Sequence, residues 1–337
     1  MRKKSFWEAA EIFVTGGCAL LVGGQLLAHS EAVAAGVRQS LAICGSILIP
    51  SLFPFMVLAA VLPATAAGRG ASRPAAPIGR VLYGLPPAAA RALAPALLMS
   101  WLGGYPAGAR ALAVLVEQRR ISRENAGRAL CFCVNGGPAF VVTVVGVGVF
   151  GSRGLGLALF ARQLLAGAVT ARLLLGREGI GSLPRGGEGA GCDKTLSAAI
   201  TSAVSSAAAG IISICAFVLL CGTFAALLNF SDAPPTVRVL LEGGLEISMG
   251  AAGAKGLSPE EALLVLPFLL SFSGLSCILQ VMAIAEEQCI PTGRFLLSRP
   301  LQGALTQLFA YLLLRGECAA LPAGLITAPA LACDPRT

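Results

Sequence analysis

The chain reads as long apolar runs divided by short polar stretches, and the runs do not alternate as the strands of a barrel would. Ile12–Ala28 predicts a first membrane span, and Glu31–Ser40 an amphipathic approach to a second at Leu41–Leu62. Ala64–Ala90, rich in Pro, Gly and Arg, predicts a loop. Leu93–Leu102 then enters the membrane and Ala107–Gln118 leaves it; Glu124–Val134 and Ala139–Phe150 make one span divided at Asn135–Pro138, and Leu155–Leu175 follows. Gly176–Lys194 is the longest polar stretch and a natural midpoint linker. Beyond it stand Leu196–Leu228, Val239–Ala254, Ala262–Ala285 and Leu301–Leu314, while Pro322 and Pro329 argue against a regular span in the tail. The expected fold is an all-α polytopic membrane protein with about eight inserted segments. Its expected organisation is an N-terminal span and lead-in (1–40), a first repeat (41–175), a cytoplasmic linker (176–194), a second repeat (195–315) and a tail (316–337).

Composition strengthens that picture. Of 337 residues 56% are hydrophobic and only 12% charged, with a mean hydropathy of +0.79; soluble domains carry about 25% charged residues. The net charge of +8 sits in short loops between apolar runs, where it sets orientation, so nucleic acid is not an expected partner. The basic start, "MRKKSFWEAAEIF", resembles a signal peptide, but Glu8 and Glu11 interrupt it and no clear cleavage site follows, which predicts an uncleaved span. Eleven cysteines lie mostly in apolar runs without a zinc-ligand spacing, and His29 is the single histidine. Walker A and G-x-S-x-G motifs are absent. Neither an enzyme, a metal nor a cofactor is expected.

Two stretches set Gly and Pro where a membrane helix should continue: "GGYPAGARAL" (Gly103–Leu112) and "VNGGP" (Val134–Pro138). Counting cations explains the first. With the N-terminus cytoplasmic, Arg69, Arg73, Arg80, Arg119, Arg120, Arg123, Arg177, Arg185 and Lys194 all fall inside only if Leu93–Gln118 dips in and returns. The second stretch has a counterpart. Ile121–Phe140 and Leu257–Ser276 align without gaps, Ser122 matching Ser258 and Phe132 matching Phe268, 136 positions apart. Each begins with Ser-x-Glu, a helix-start signal, and each meets small polar residues further on: Asn135–Pro138 in one, Ser271–Ser276 in the other. Upstream, Gly103–Ala109 corresponds roughly to Leu245–Ala251. The order of features predicts an inverted repeat.

Interrupted helices at membrane depth survive only inside protein or around water, and their free N–H groups suit an anion. Candidate substrate-binding residues are therefore Gly104, Tyr105, Pro106, Gly108, Asn135, Gly137, Pro138, Arg162, Glu246, Ser248, Ser271, Ser273 and Ser276. Gly104-x-x-x-Gly108 reads equally as close helix packing. Glu246, ionisable inside an apolar hairpin, suits a proton or cation site, and Arg162 pairs with a solute carboxylate or with Glu246, or else snorkels to the interface.

"IPSLFPFMVLAAVL" (Ile49–Leu62), "GGYPAGARAL", "ISRENAGRALCFCVNGGPAFVVTVVGVGVFG" (Ile121–Gly151) and "LEISMG" (Leu245–Gly250) together resemble the YlbJ-type sporulation integral membrane proteins, within the wider nucleoside-recognition, or Gate, domain families. The resemblance runs from about Leu41 to Leu314. It implies a mother-cell membrane protein of endospore formers, linked to passage of dipicolinic acid across the outer forespore membrane. Gly136–Gly137 departs from the Asn or Ser of relatives. The leading expectation is a permease for a small anion, dipicolinate by resemblance, in contact with the lipid bilayer. The alternatives are a membrane assembly factor that carries no solute and a nucleoside or cation permease.

Overall fold

The computed structural model describes residues 16–17, 19–65, 70, 72–176, 179–180 and 195–318, and is helical with no strand among them. Most of the linker Gly176–Lys194, most of the tail and the start of the expected first span lie outside the described residues. The rest of that span forms helix α1, Ala19–Ala28.

Helix α2 (Ser30–Ile43) continues through a π-turn at Cys44–Leu48 into α3 (Ile49–Ala64), so the expected lead-in and second span are one rod. The expected loop Ala64–Ala90 instead holds helix α4 (Ala75–Tyr83), followed by α5 (Pro87–Gly103) at a bend of 111°. Its Pro, Gly and Arg content hid a nine-residue helix whose Ala75, Ala76 and Tyr83 are buried, Tyr83 stacking on Phe132 at 4.4 Å.

Helix α6 (Tyr105–Glu117) then folds back on α5, α7 (Arg123–Cys133) leads through an extended break to a π-helical segment Ala139–Val147, and α8 (Arg153–Leu175) closes the first half. The second half repeats the order. The long α9 (Leu196–Leu228) is followed by the hairpin α10 (Pro235–Leu245) and α11 (Ile247–Gly253). After it come a divided helix, α12 (Pro259–Phe272) and α13 (Gly274–Glu287), and the long α14 (Gly293–Cys318). A serine caps the divided helix in each half. Ser122 accepts from the Asn125 N–H at 3.1 Å, and Ser258 forms a reciprocal capping box with Glu261. The box partner is thus Glu261, three residues on, and not the Glu260 of the Ser-x-Glu pattern.

Among the described residues, four helices are long and apolar enough to cross a bilayer: Ser30–Leu58, Arg153–Leu175, Leu196–Leu228 and Pro259–Glu287. A fifth span counts if the bent pair Ala75–Tyr83 and Pro87–Gly103 is taken as one. These spans do not by themselves confirm about eight inserted segments; the expected hairpins do turn back, Ser100 meeting Gly108 across the first tip and Gly243 meeting Gly250 across the second. The surface is apolar, with Leu20, Leu27, Val81, Leu173, Ile212 and Leu297 exposed, while Asn135, Gln163, Glu246, Arg299, Gln302 and Thr306 are buried. A soluble protein arranges these the other way. Hydrocarbon, as the outer solvent, rewards it.

Gly108 packs against the Cys133 carbonyl so closely that a Cβ there has no room. Gly108→Val is expected to lower stability by about 1–3 kcal/mol through overpacking, read as a lower unfolding temperature in detergent, with Gly244→Val, which faces open space, unchanged.

Candidate functional site

The first hairpin turns on Gly104, whose φ of 84° and ψ of −166° favour a residue without Cβ. Tyr105 and Pro106 follow at once and start α6, Pro giving up an N–H that the first turn leaves unpaired anyway. Gly104 lies against the backbone of Gly137, so the hairpin tip touches the break in the divided helix of its own half. The same contact recurs in the second half, where Gly274 lies against the backbone of Glu246 and Ile247. Ser273 and Gly274 are successive left-handed residues, φ 74° and 78°, which is how α12 ends and α13 begins without a loop.

The two tips differ in chemistry. Gly104 offers no side chain to the start of α6. Glu246 caps α11 with its own carboxylate, which accepts from the Ser248 N–H at 2.6 Å, the Met249 N–H at 3.0 Å and the Ser248 hydroxyl at 3.2 Å. The acid is 4% exposed, and none of those partners is a cation.

Both tips open on one cavity of about 40 Å³. From the first half it takes Gly104, Tyr105, Pro106 and Gly137; from the second, Glu246 and Ser248 together with Cys277 and Gln280. Six predicted site residues therefore converge on one space. The Tyr105 hydroxyl donates to the Leu270 carbonyl at 2.6 Å, fastening the first tip to the second half.

The carbonyl ends of the broken helices meet elsewhere, on Arg299, fully buried on α14. Its Nη1 donates to the Val134 carbonyl at 2.8 Å and to the Ser271 carbonyl at 3.4 Å; Nη2 donates to the Cys131 carbonyl at 3.0 Å and to Gln302 Oε1 at 2.8 Å. One guanidinium thus serves the C-terminal ends of α7 and α12, where orphan carbonyls gather and the helix dipole is negative. Gln302 relays the contact, its amide donating to Asn135 Oδ1 at 3.0 Å and to the Gln163 carbonyl at 3.3 Å.

The remaining predicted residues sit around this network or away from the cavity. Asn135 donates to Ser100 Oγ at 3.0 Å and to the Phe132 carbonyl at 2.7 Å, holding the break shut. Ser271 Oγ pairs with Thr306 Oγ1 at 2.7 Å, Ser273 donates to the Ser271 carbonyl at 3.4 Å, and Ser276 accepts from Gln280 Nε2 at 3.2 Å. Pro138 precedes the π-helical segment, and Gly108 is a packing contact. Arg162 donates to the Ala158 carbonyl at 2.9 Å and the Phe309 carbonyl at 3.3 Å, joining α8 to α14; it neither lines the cavity nor bonds Glu246. At Gly136 a Cβ would crowd the Tyr105 hydroxyl and Gln163 Oε1, so the larger residue expected from relatives would displace the tip here.

Sequence reading missed Arg299, Gln302, Gln163 and Gln280. A signal was present for the first two: Arg299, Gln302 and Thr306 recur at helical spacing, and all three are fully buried. In a bilayer such a stripe marks the face turned inward.

A polar interior, an apolar exterior and two broken hairpins meeting at a cavity define a multi-pass α-helical membrane protein built on discontinuous helices. The chain is similar to the sporulation integral membrane protein YlbJ of Bacillus subtilis (strain 168), 25% identical over an alignment spanning 87% of this chain and 80% of that protein. The similarity supports the resemblance carried by the motifs. No protein-family model and no solved structure matches the chain.

Arg299 makes the sharpest test of the geometry. Arg299→Leu strips donors from buried carbonyls and is expected to cost on the order of 3 kcal/mol, seen as a fall in unfolding temperature. Arg299→Lys is expected to rescue little, since one ammonium lacks the planar reach to two helix ends.

Proposed function

We propose that the chain acts in sporulation as a permease for a small anionic solute, with dipicolinate the solute the resemblance implies, and that the solute passes between the two hairpin tips. The observation that carries the reading is the single cavity shared by Gly104–Pro106 and Glu246–Ser248. Its site is built as secondary transporters build theirs, from discontinuous helices whose halves meet within the membrane. Glu246 adds chemistry. A buried carboxylate without a cation is costly in a low-dielectric interior, so it carries a proton or a counter-cation during the cycle. An anion meeting the charged acid would be repelled; a proton on Glu246 removes that repulsion, which couples solute entry to protonation.

The cavity at about 40 Å³ holds a few waters, not an aromatic dianion. In this reading the tips are closed and must part for passage. A second reading, membrane assembly without transport, draws on the direct hydrogen bonds from Arg299, Gln302 and Asn135 that fill the space behind the tips.

Expression in a host that makes dipicolinate, with passage measured across the membrane, separates them. Wild type is expected to pass dipicolinate with a rate that depends on pH, and Glu246→Gln, neutral at every pH, to lose that dependence. No passage by wild type at good surface expression defeats the permease; a weak spore of normal dipicolinate content favours assembly. The inverted sense of the repeat is tested separately. In a background freed of native thiols, Arg120→Cys and Lys255→Cys are expected to label from opposite membrane faces with an impermeant maleimide, and labelling from one face overturns the inversion.

A further inference from the structure

Two cavities share a wall. The inner one at the tips and an outer one of about 100 Å³ are both lined by Pro106 and Gln280. The outer cavity adds Arg110, Ser213 and Glu287. Arg110 lies on α6 one turn beyond Pro106, and its Nε is buried without a hydrogen-bond partner. A buried guanidinium nitrogen lacking an acceptor is uncommon, because an unpaired polar group forfeits its hydration. The planar fork of arginine matches a carboxylate. Glu287, the other charge on the wall, is exposed at the end of α13, where water screens it. Gln280 is 6% exposed and its amide is turned to Ser276, so one side chain together with Pro106 divides the two spaces.

We propose that the outer cavity is an access site for a small carboxylate, received by Arg110 and separated from the inner cavity by Gln280 and Pro106. The inference deepens the permease reading by giving the solute its first contact, yet binding is measured without transport. Arg110 draws the anion in and Glu287 at the mouth opposes it. Opposite effects from those two residues therefore distinguish an anion site from a structural ion pair.

The test uses the full-length protein in detergent with Ser213→Cys as a reporter in the outer cavity, its modification by a thiol reagent followed by peptide mass spectrometry. Pyridine-2,6-dicarboxylate is expected to slow modification at position 213, and benzamide, neutral and of similar width, is not. Arg110→Gln is expected to raise the half-protecting concentration about tenfold or more, Arg110→Lys to raise it less, and Glu287→Gln to lower it. Equal protection in Arg110→Gln and wild type overturns the site, as does a loss of protection in both Arg110→Gln and Glu287→Gln. Protection that depends on Arg110 in a protein that passes no dipicolinate leaves the site standing and removes the transport reading. Passage with no dependence on Arg110 does the reverse.

Discussion

Backbone carbonyls that end a helix inside a membrane need donors, and here one side chain supplies them for both halves of the molecule. Arg299 reaches Cys131 and Val134 on one broken helix and Ser271 on the other. In hydrocarbon each orphaned polar group costs several kcal/mol. The guanidinium in turn needs acceptors, since an arginine cannot shed its charge in a protein. Carbonyls in excess and a cation without a carboxylate are two costs that cancel when brought together. The Phe295 ring, 4.9 Å from the guanidinium, adds a further favourable contact. The helix breaks are thus affordable only because α14 delivers a cation to their junction.

That arrangement divides the labour between the ends of the broken helices. Carbonyl ends converge on Arg299 and are closed by the protein itself. Amide ends, at Gly104 and Glu246, converge on the cavity. Here the halves part from symmetry: the first tip is bare backbone, the second carries a resident carboxylate. One hairpin tip carries a carboxylate at the meeting point and the other carries no side-chain cap.

Much of this was legible in the sequence, and the reason is physical. Gly, Pro and Ser set the breaks because backbone turns demand them, so Gly104, Asn135–Pro138 and Ser273 fell where composition placed them. The 33-residue run Leu196–Leu228 is a helix over the same residues. What failed was the reading of polar residues inside apolar runs as isolated events. Arg162 drew attention because it stood alone in a clean span, yet its bonds go to nearby carbonyls. Arg299 was passed over because it stands just before Leu301, where the last expected span began. Ser298 and Gln302 are buried with Arg299 on the inward face of α14, which shows only when 299, 302 and 306 are read together. Ala64–Ala90 failed for another reason: its Pro, Gly and Arg hid the largely apolar helix Ala75–Tyr83, which buries Ala75, Ala76 and Tyr83 and leaves Ile78 and Val81 exposed.

The size of the inner cavity bears on how such a molecule works. In the permease reading proposed above, space for a few waters beside a buried carboxylate corresponds to a closed state. The bonds that close it are unequal. Around Arg299 several charge-assisted contacts act together, whereas among the described residues one hydrogen bond, from the Tyr105 hydroxyl to the Leu270 carbonyl, ties the first tip to the second half. A hinge opens where its fastenings are fewest. In that reading the Tyr105 bond is the fastening that gives way first and the Arg299 junction the one that holds. The acid at Glu246 would then face whatever enters, and its proton would decide the sign of what is allowed to stay.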